Sequence, residues 1–539
     1  MNAPAFDAWL DAFFASYFRR RPVSATFIGR HEFDDRLPDF SAQGIADTLA
    51  DADDLLARLD ALPAETLGTA QRLDRDLARG FLLIQQWESA SRHFGPANPT
   101  VLTGEAVFGV VSLLLRPFAP LAERLDLATA RLAAIPTFLD VGRSAMAPVP
   151  AAWLARARRE CTGARLLLQD GLANFEHRAL RGAAAAAVDA FVRFDNSLEQ
   201  ALPQATTTCA AGGEALDLVL QHAHFLDGSA DDLERQALDR IAAEEEAIAA
   251  LPPAPAVPPA PGAAPPSPPI GGDYLERFEA LWVAARALAR TNDLLTFPDW
   301  PVRYVERPLW ARDAAPYLYF LPYRSPAPFD HQPEVEYLVP PGADDSTIKL
   351  NHVVHHGSLG HHVQNWFAAR AESRVGRIAA VDCASRIAML CGGTMAEGWA
   401  NYATDLAEEH GFLTSAERAG QHAARIRMAA RAVVDIRLHQ GRFTLDEAIS
   451  FYRHRVGMAP SAAEAEAVKN SLFPGAACMY LAGWDGIWRL RRRLAAGRAG
   501  DLSLQEFHDR LLSFGSVPVA LIERAMLESP TAAAGAHSS

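Results

Sequence analysis

Five histidines are concentrated within eleven positions of the chain. They are His352, His355, His356, His361 and His362. Neutral imidazole nitrogen is a good ligand for zinc, iron, nickel and copper, and a local cluster lets one stretch of backbone deliver two ligands. The alternative is that the ring nitrogens only form hydrogen bonds with neighbouring backbone. The concentration of histidines favours a metal site.

The spacing of these histidines leaves three ligand pairs open: His352 with His356, His355 with His362, or His355 with His361. The first two pairs each share one face of a straight helix, although the second pair would be about 10 Å apart along the axis. The third pair converges only if Gly357 and Gly360 interrupt the helix.

A further ligand is expected from Glu397, in the segment Met-Ala-Glu-Gly-Trp-Ala-Asn-Tyr. A carboxylate among apolar neighbours is costly to bury unless it is paired or binds a cation. Two histidines and one glutamate form a common catalytic zinc set with one open position. The alternative is a partly exposed residue at the start of a helix.

Two further groups of residues are candidates for catalysis. Arg431, Asp435 and His439 recur at four-residue intervals and so share one helix face. They form either a salt bridge beside a histidine, or a site that binds a substrate carboxylate and supplies a proton donor. Tyr480 is either a core tyrosine or a phenol that stabilises a developing oxyanion.

The elements that position these residues are mainly helical. Apolar residues recur at three- and four-residue spacing from residue 5 to 251 and again from residue 350 onward. Three β-prone segments, at 302–305, 317–323 and 334–339, predict a small sheet. We therefore expect an N-terminal helical lobe (1–251), a Pro/Ala-rich linker (252–272), a C-terminal lobe with the metal site and the sheet (273–530), and a disordered tail (531–539).

Composition is typical of a large folded protein, since 50% of the 539 residues are hydrophobic and 22% are charged. The net charge of −14 disfavours nucleic acid and anionic membrane as partners. Five cysteines without a Cys-x-x-Cys spacing indicate a reducing compartment. Because arginines follow the N-terminal aromatic stripe instead of preceding it, no signal peptide is indicated, and we predict a cytoplasmic protein. The stripe packs either inside the chain or against a second subunit, which leaves a homodimer open.

Several ordered motifs resemble a bacterial family known as domain of unknown function 885, whose members are metallopeptidase-like. The motifs are RRPVSATFIGRHEFDDRLPDF, HHGSLGHHVQ, EGWANYATDL, RAVVDIRLH, FPGAACMYLAG and FHDRLLSFGSVPV. The resemblance implies His355, His361 and Glu397 as metal ligands, and matches Asp435, His439 and Tyr480 to family positions. It also implies a helical zinc-peptidase-like fold with a cleft between two lobes. The small sheet would border this cleft, where an edge strand could hold an extended peptide.

The chain departs from the family pattern His-Glu-x-x-Pro-Gly-His-His-x-Gln at two positions. His356 replaces the glutamate and Leu359 replaces the proline; in a later motif, Ala476 stands where glutamine is common. In zinc peptidases the glutamate takes a proton from water and passes it to the leaving amine. His356 either serves as this base or becomes an extra ligand, which would shift metal preference towards iron, manganese or nickel.

The sequence as a whole predicts a metal-dependent hydrolase that acts on a small peptide, amide or amino-acid conjugate through a metal-activated water. His355, His361 and Glu397 hold Zn²⁺, with Fe²⁺ or Mn²⁺ as alternatives, and His356 shuttles the proton. Tyr480 and His439 stabilise the oxyanion, while Arg431 binds a substrate carboxylate or braces Asp435. The alternatives are a redox or lyase-type metalloenzyme and an inactive relative that binds its ligand.

Overall fold

The computed structural model describes residues 3–251, 273–318, 327–330, 335–379, 382–383, 386–387, 392–496 and 502–528. The linker predicted at 252–272 and the tail predicted at 531–539 lie outside these residues.

The N-terminal part of the chain is helical, as predicted. Its helices are α1 Ala3–Arg20, α2 Pro22–Phe27, α3 Ala42–Asp60, α4 Thr69–Ala90, α5 Pro99–Leu115, α6 Leu121–Ala145, α7 Ala151–Leu166, α8 Arg178–Ala201, α9 Gly213–His222 and α10 Ala230–Ala250. Several of these helices are capped at their N-termini by a polar side chain that accepts a backbone hydrogen bond. Ser229, for example, accepts a hydrogen bond from the backbone N–H of Asp232, whose side chain accepts one in return.

The C-terminal part combines helices with short strands. Its elements are α11 Tyr274–Thr291, β1 Val302–Glu306, α12 Leu309–Arg312, β2 Val335–Val339, α13 Asp345–Thr347, a π-helix Ile348–Ser358, α14 His361–Ala368, β3 Asp382–Cys383, β4 Arg386–Ile387, α15 Gly393–Glu409, α16 Ser415–His439, α17 Leu445–Arg455, α18 Pro460–Leu472, α19 Cys478–Ala496, α20 Leu504–Ser513 and α21 Val519–Glu528. The prediction of a mainly helical protein is confirmed.

The predicted small sheet is present as two parallel strands. Val302 of β1 lies opposite Val335 of β2, and the register continues to Glu306 opposite Val339. The strand predicted at 317–323 is not seen in its described part, because Tyr317 lies in a turn and Leu318 in a bend. The remaining residues of that prediction, 319–323, lie outside the described part of the chain. Separately, β3 and β4 pair antiparallel over two residues.

One hydrophobic core extends from the first helix to the last, and it includes Phe6 and Met526. The aromatic stripe of α1 faces this core, where Trp9 stacks on Phe6 and Phe13 at centroid distances of 5.7 and 5.9 Å. The stripe therefore packs inside the chain. None of the helices in the described part has an apolar stretch long enough to span a bilayer.

The π-helix and α14 carry the histidines of the candidate site, and α15, α16 and α19 carry Glu397, Arg431 and Tyr480. α15 packs along α19, and α16 packs along α10. Glycines let α15 and α19 approach backbone to backbone, since a Cβ at Gly398 would lie 2.5 Å from the carbonyl carbon of Gly483. This contact fixes the relative positions of Glu397 and Tyr480, which precede the two glycines by one and three residues.

Candidate metal centre

A sharp turn brings two of the histidines together. Gly357 (φ −107°, ψ −113°) and Gly360 (φ −91°, ψ −123°) leave helical geometry, and α14 begins afresh at His361. A Cβ at Gly360 would lie only 1.7 Å from the carbonyl oxygen of His355, so this turn requires glycine. As a result the rings of His355 and His361 lie 4.9 Å apart between centroids.

Glu397 lies beside this pair, in the first turns of α15. Its Oε2 atom is 3.6 Å from His355 Nε2 and 3.9 Å from His361 Nε2. Burial would raise the pKa of Glu397, but the neighbouring rings of His355 and His361 outweigh it and lower the pKa to about 2. Burial lowers the pKa of His361 to about 4. An ionised carboxylate and a neutral imidazole are the forms that bind a divalent cation.

His356 adds a third nitrogen to the group. Its Nδ1 lies 2.7 Å from the carbonyl oxygen of Asn351. Because a carbonyl only accepts hydrogen bonds, Nδ1 carries the proton and Nε2 keeps a free lone pair. One ring nitrogen from each of His355, His356 and His361 lies within 4.8 Å of the other two. A backbone carbonyl on the remote nitrogen is a common support for metal-binding imidazole. Burial also holds the pKa of His356 well below its ordinary value.

The other two histidines of the segment face away from this cluster. His352 is buried, with its Nδ1 2.5 Å from the Tyr337 hydroxyl of β2. His362 donates from Nε2 to the carbonyl of Trp300 at 3.0 Å. Of the three pairs that the spacing left open, the structure therefore brings together His355 and His361.

The cluster lies in the wall of a cleft of about 630 Å³. The lining residues come from α13, the π-helix, α14, α15, α16, α18 and α19. No described residue of β1 or β2 lines the cleft, because the sheet packs behind the π-helix through Tyr337 and His352. The sheet is present, but it does not border the cleft as the resemblance implied.

Arg431 and Tyr480 also line the cleft. Two nitrogens of Arg431 bind the carboxylate of Glu466 at 2.7 and 2.8 Å, and its guanidinium lies 4.7 Å from the centre of the Tyr480 ring. Burial would lower the pKa of Arg431, but Tyr480 and Glu466 raise it above its ordinary value. The anionic partner of Arg431 is thus Glu466, and the predicted bracing of Asp435 by Arg431 is not observed.

Asp435 and His439 are buried away from the cleft. Asp435 accepts hydrogen bonds from the backbone N–H groups of Gly475 (3.0 Å) and Ala477 (2.8 Å), and His439 Nε2 donates to the carbonyl of Asn470 at 2.9 Å. Both side chains are 0% exposed and neither lines the cleft. Burial raises the pKa of Asp435 to about 7. The two residues hold the loop between α18 and α19, so we correct the prediction that His439 contacts the substrate.

Sequence reasoning missed three charged residues of the cleft: Arg427, Glu466 and Lys469. Arg427 had a usable signal, because it lies four residues before Arg431 on the same face of α16. Glu466 and Lys469 belong to α18, whose sequence carries no motif. Their approach to the site depends on helix packing alone.

The fold and the site define a mainly helical protein with a cluster of histidines and a glutamate in a cleft between helices. The chain belongs to the DUF885 family, described as "Bacterial protein of unknown function", whose model matches residues 22–526. No curated protein matches the chain in sequence.

Two solved structures are similar to this fold. One is "a putative lipoprotein of unknown function" from Shewanella oneidensis, 19% identical, with a TM-score of 0.73 over 97% of this chain and 99% of the other. The second is the "putative lipoprotein" from Colwellia psychrerythraea, 18% identical, with a TM-score of 0.71 over 97% of this chain and 98% of the other. At this level of identity the likeness establishes the fold alone.

The descriptions of these two proteins bear on location in the cell. Lipoproteins are attached to a membrane by a covalently bound lipid. Both similar structures are described as a "putative lipoprotein", which contradicts the cytoplasmic location predicted from the sequence, and that prediction is withdrawn.

Proposed function

We propose that this protein is a metal-dependent hydrolase that acts on a small peptide, amide or amino-acid conjugate. The observation that carries the proposal is the convergence of His355, His361 and Glu397 in the wall of the cleft. The mainly helical fold is compatible with the two-lobed, zinc-peptidase-like architecture of the hypothesis, and the cleft volume lies in the range of small-ligand sites.

The donor atoms fit a divalent cation. Ligand atoms about 2.1 Å from a tetrahedral zinc ion lie about 3.4 Å from each other. The two nitrogen–oxygen distances of 3.6 and 3.9 Å are close to this value, and the donor set of two imidazoles and a carboxylate is chemically suited to zinc. A cation held there supplies Lewis acidity, which lowers the pKa of water and polarises an acyl carbonyl.

The chain's own residues supply the proton transfers in this proposal. The free lone pair of His356 Nε2 accepts the proton of the attacking water and passes it to the leaving amine. The hydroxyl of Tyr480 donates a hydrogen bond to the developing oxyanion. Arg431, held by Glu466, places its guanidinium against the Tyr480 ring and so positions this phenol.

A second candidate function is a non-hydrolytic metalloenzyme. It is favoured by the short distances among the ring nitrogens of His355, His356 and His361, all within 4.8 Å. With His356 as a ligand, three nitrogens and a carboxylate would surround the metal and favour iron or manganese over zinc. In that case His356 could not also act as the base.

Metal content tests the proposal. We expect near-stoichiometric zinc in protein purified without a histidine tag, and less than about a tenth of that in His355→Ala and Glu397→Ala, because each removes a ligand. His454→Ala, at an exposed position of α17, is the matched control and should keep its zinc. Elemental analysis would measure all four proteins. Iron or manganese would favour the second candidate, and no metal after reconstitution would exclude both.

Hydrolysis is then measured as release of amine from acyl-peptide libraries. The zinc-loaded protein should lose activity with a chelator, and His356→Gln should lower kcat roughly 10²- to 10⁴-fold while keeping the metal. Loss of metal in His356→Gln would instead identify His356 as a ligand.

A further inference from the structure

Arg427 and Arg418 are the two arginines of α16 that pair with no carboxylate among the described residues, and of these two only Arg427 lines the cleft, since Arg418 donates to Ser415 outside it. Arg425 binds Asp405, Arg431 binds Glu466 and Arg437 binds Glu234. The buried Nε of Arg427 has no hydrogen-bond partner among the described residues, and its side chain lines the cleft. Leaving a guanidinium nitrogen unpaired and shielded from water is unfavourable, so this group is poised to bind something that enters the cleft.

Arg427 and the histidine–glutamate cluster line the same cleft. Its lining includes Arg427 together with His355, His361 and Glu397. A group bound by Arg427 would therefore share the cleft with a substrate held at the cluster.

The charges of the cleft leave this region positive. The charged lining residues, apart from the histidines, are Glu397, Arg427, Arg431, Glu466 and Lys469. Glu466 neutralises Arg431, and Glu397 lies among the histidines. Counted by formal charge, the cleft lining outside the histidine cluster therefore carries three cations beside the single carboxylate of Glu466, although the whole chain has a net charge of −14. A planar guanidinium binds a carboxylate through two parallel hydrogen bonds, and a nearby ammonium adds attraction.

We propose that Arg427, supported by Lys469, binds a free carboxylate of the substrate. The substrate class is then short peptides or amino-acid conjugates with an unblocked carboxyl end, and internal segments of long chains are excluded. The cleavage of such a substrate rests on the proposed hydrolase function. Binding of its carboxylate by Arg427 can be measured without turnover.

The kinetic test compares acetyl-trialanine with its C-terminal amide. The wild-type protein should have a kcat/KM roughly 10- to 100-fold higher for the acid, the range expected for hydrogen bonds to a charged group. Arg427→Met should reduce the kcat/KM of the acid to the level of that of the amide. Arg427→Lys, which keeps the charge, should retain part of the preference. Arg453→Gln, at an exposed position of α17, removes one positive charge outside the cleft and should behave as wild type.

A binding measurement separates this inference from the hydrolase proposal. Calorimetry on Glu397→Gln protein, with and without Arg427→Met, measures affinity for the same two peptides in a variant designed not to turn them over. Tighter binding of the acid that disappears with Arg427→Met supports the carboxylate site, even if no variant hydrolyses either peptide. Equal kcat/KM values or equal affinities of the acid and the amide, measured before Arg427 is replaced, would overturn the carboxylate site. If Arg427→Met does not fold, as judged by its thermal unfolding, Arg427→Lys decides: full retention of the acid preference indicates a purely electrostatic contact and overturns the bidentate assignment.

Discussion

At the scale of single residues, buried charge in this protein is compensated by specific partners outside the cleft. Asp405 is the clearest case. Its Oδ2 accepts hydrogen bonds from the indole N–H groups of Trp484 (2.5 Å) and Trp488 (2.7 Å), and its Oδ1 accepts from Arg425 Nε at 3.0 Å. Burial would lower the pKa of Arg425, but Asp405 and Glu408 raise it above its ordinary value. This network joins α15, α16 and α19 below the cleft.

Asp405→Asn should lower the free energy of unfolding by roughly 3 kcal/mol, because it removes the charge that compensates a buried guanidinium. Denaturant unfolding followed by circular dichroism measures the change. Asp54→Asn is the matched control, since Asp54 is 64% exposed and pairs only with exposed Arg58; its effect should be much smaller. Equal effects of the two substitutions would contradict the assigned role of the network.

At the scale of elements, the turn between the π-helix and α14 decides which histidines meet. The hydrogen bond from Gly360 N to the carbonyl of Val354 (2.9 Å) closes this turn, and the first residue after it is His361. A regular helix through the same sequence would carry His355 and His361 past each other onto different faces. The metal centre therefore depends on a backbone conformation as much as on its ligands.

Gly360→Ala should weaken metal binding roughly 10- to 100-fold, the range seen when groups that orient metal ligands are altered. The added methyl group would overlap the carbonyl oxygen of His355 and force the turn to open. Competition with a chromogenic chelator measures the affinity. Gly182→Ala in α8, where a Cβ meets nothing within 4 Å, should leave affinity unchanged and raise stability by about 0.5–1 kcal/mol. Unchanged metal affinity in Gly360→Ala would show that the turn tolerates a side chain.

At the scale of the whole molecule, contacts between residues far apart in sequence hold the N-terminal helices against the C-terminal part. His31 is one such contact. Its ring binds Asp34 at 2.7 Å and Asp330 at 2.9 Å, and it stacks on Phe118 with centroids 3.8 Å apart. Burial would lower the pKa of His31, but the hydrogen bonds with Asp330 and Asp34 raise it from 6.5 to about 9. The imidazolium of His31, with one hydrogen bond from each ring nitrogen, therefore links its own segment to Asp330, which lies 299 residues away in sequence.

The stability contributed by His31 should depend on pH. Because its pKa is higher in the folded than in the unfolded protein, the contribution is complete below pH 6.5 and disappears as the pH rises through about 9. The free energy of unfolding of wild type should therefore exceed that of His31→Gln most at pH 6 and least at pH 9.5. Urea unfolding at several pH values gives this difference. A difference that stays constant with pH would contradict an imidazolium at this position.

Sequence alone determined the features that depend on local chemistry. Helical periodicity predicted the helical class, and two of the three β-prone segments correspond to the strands of the parallel sheet. The concentration of histidines and the isolated Glu397 indicated the candidate centre, because residue types and short spacings are written directly in the chain. The four-residue spacing also predicted that Asp435 and His439 share a site with Arg431. In the structure Arg431 lines the cleft, whereas Asp435 contacts the buried loop between α18 and α19 and His439 contacts Asn470.

Tertiary structure decided everything that depends on partners distant in sequence. Only the folded structure shows that His352 contacts Tyr337, that His362 contacts Trp300 and that Arg431 pairs with Glu466. It also shows that the Nε atom of Arg427 has no hydrogen-bond partner among the described residues. The physical reason is that a buried polar group takes whichever partner the packing of helices brings within hydrogen-bonding distance. That partner is set by the approach of whole elements, and no short-range pattern in the sequence records it.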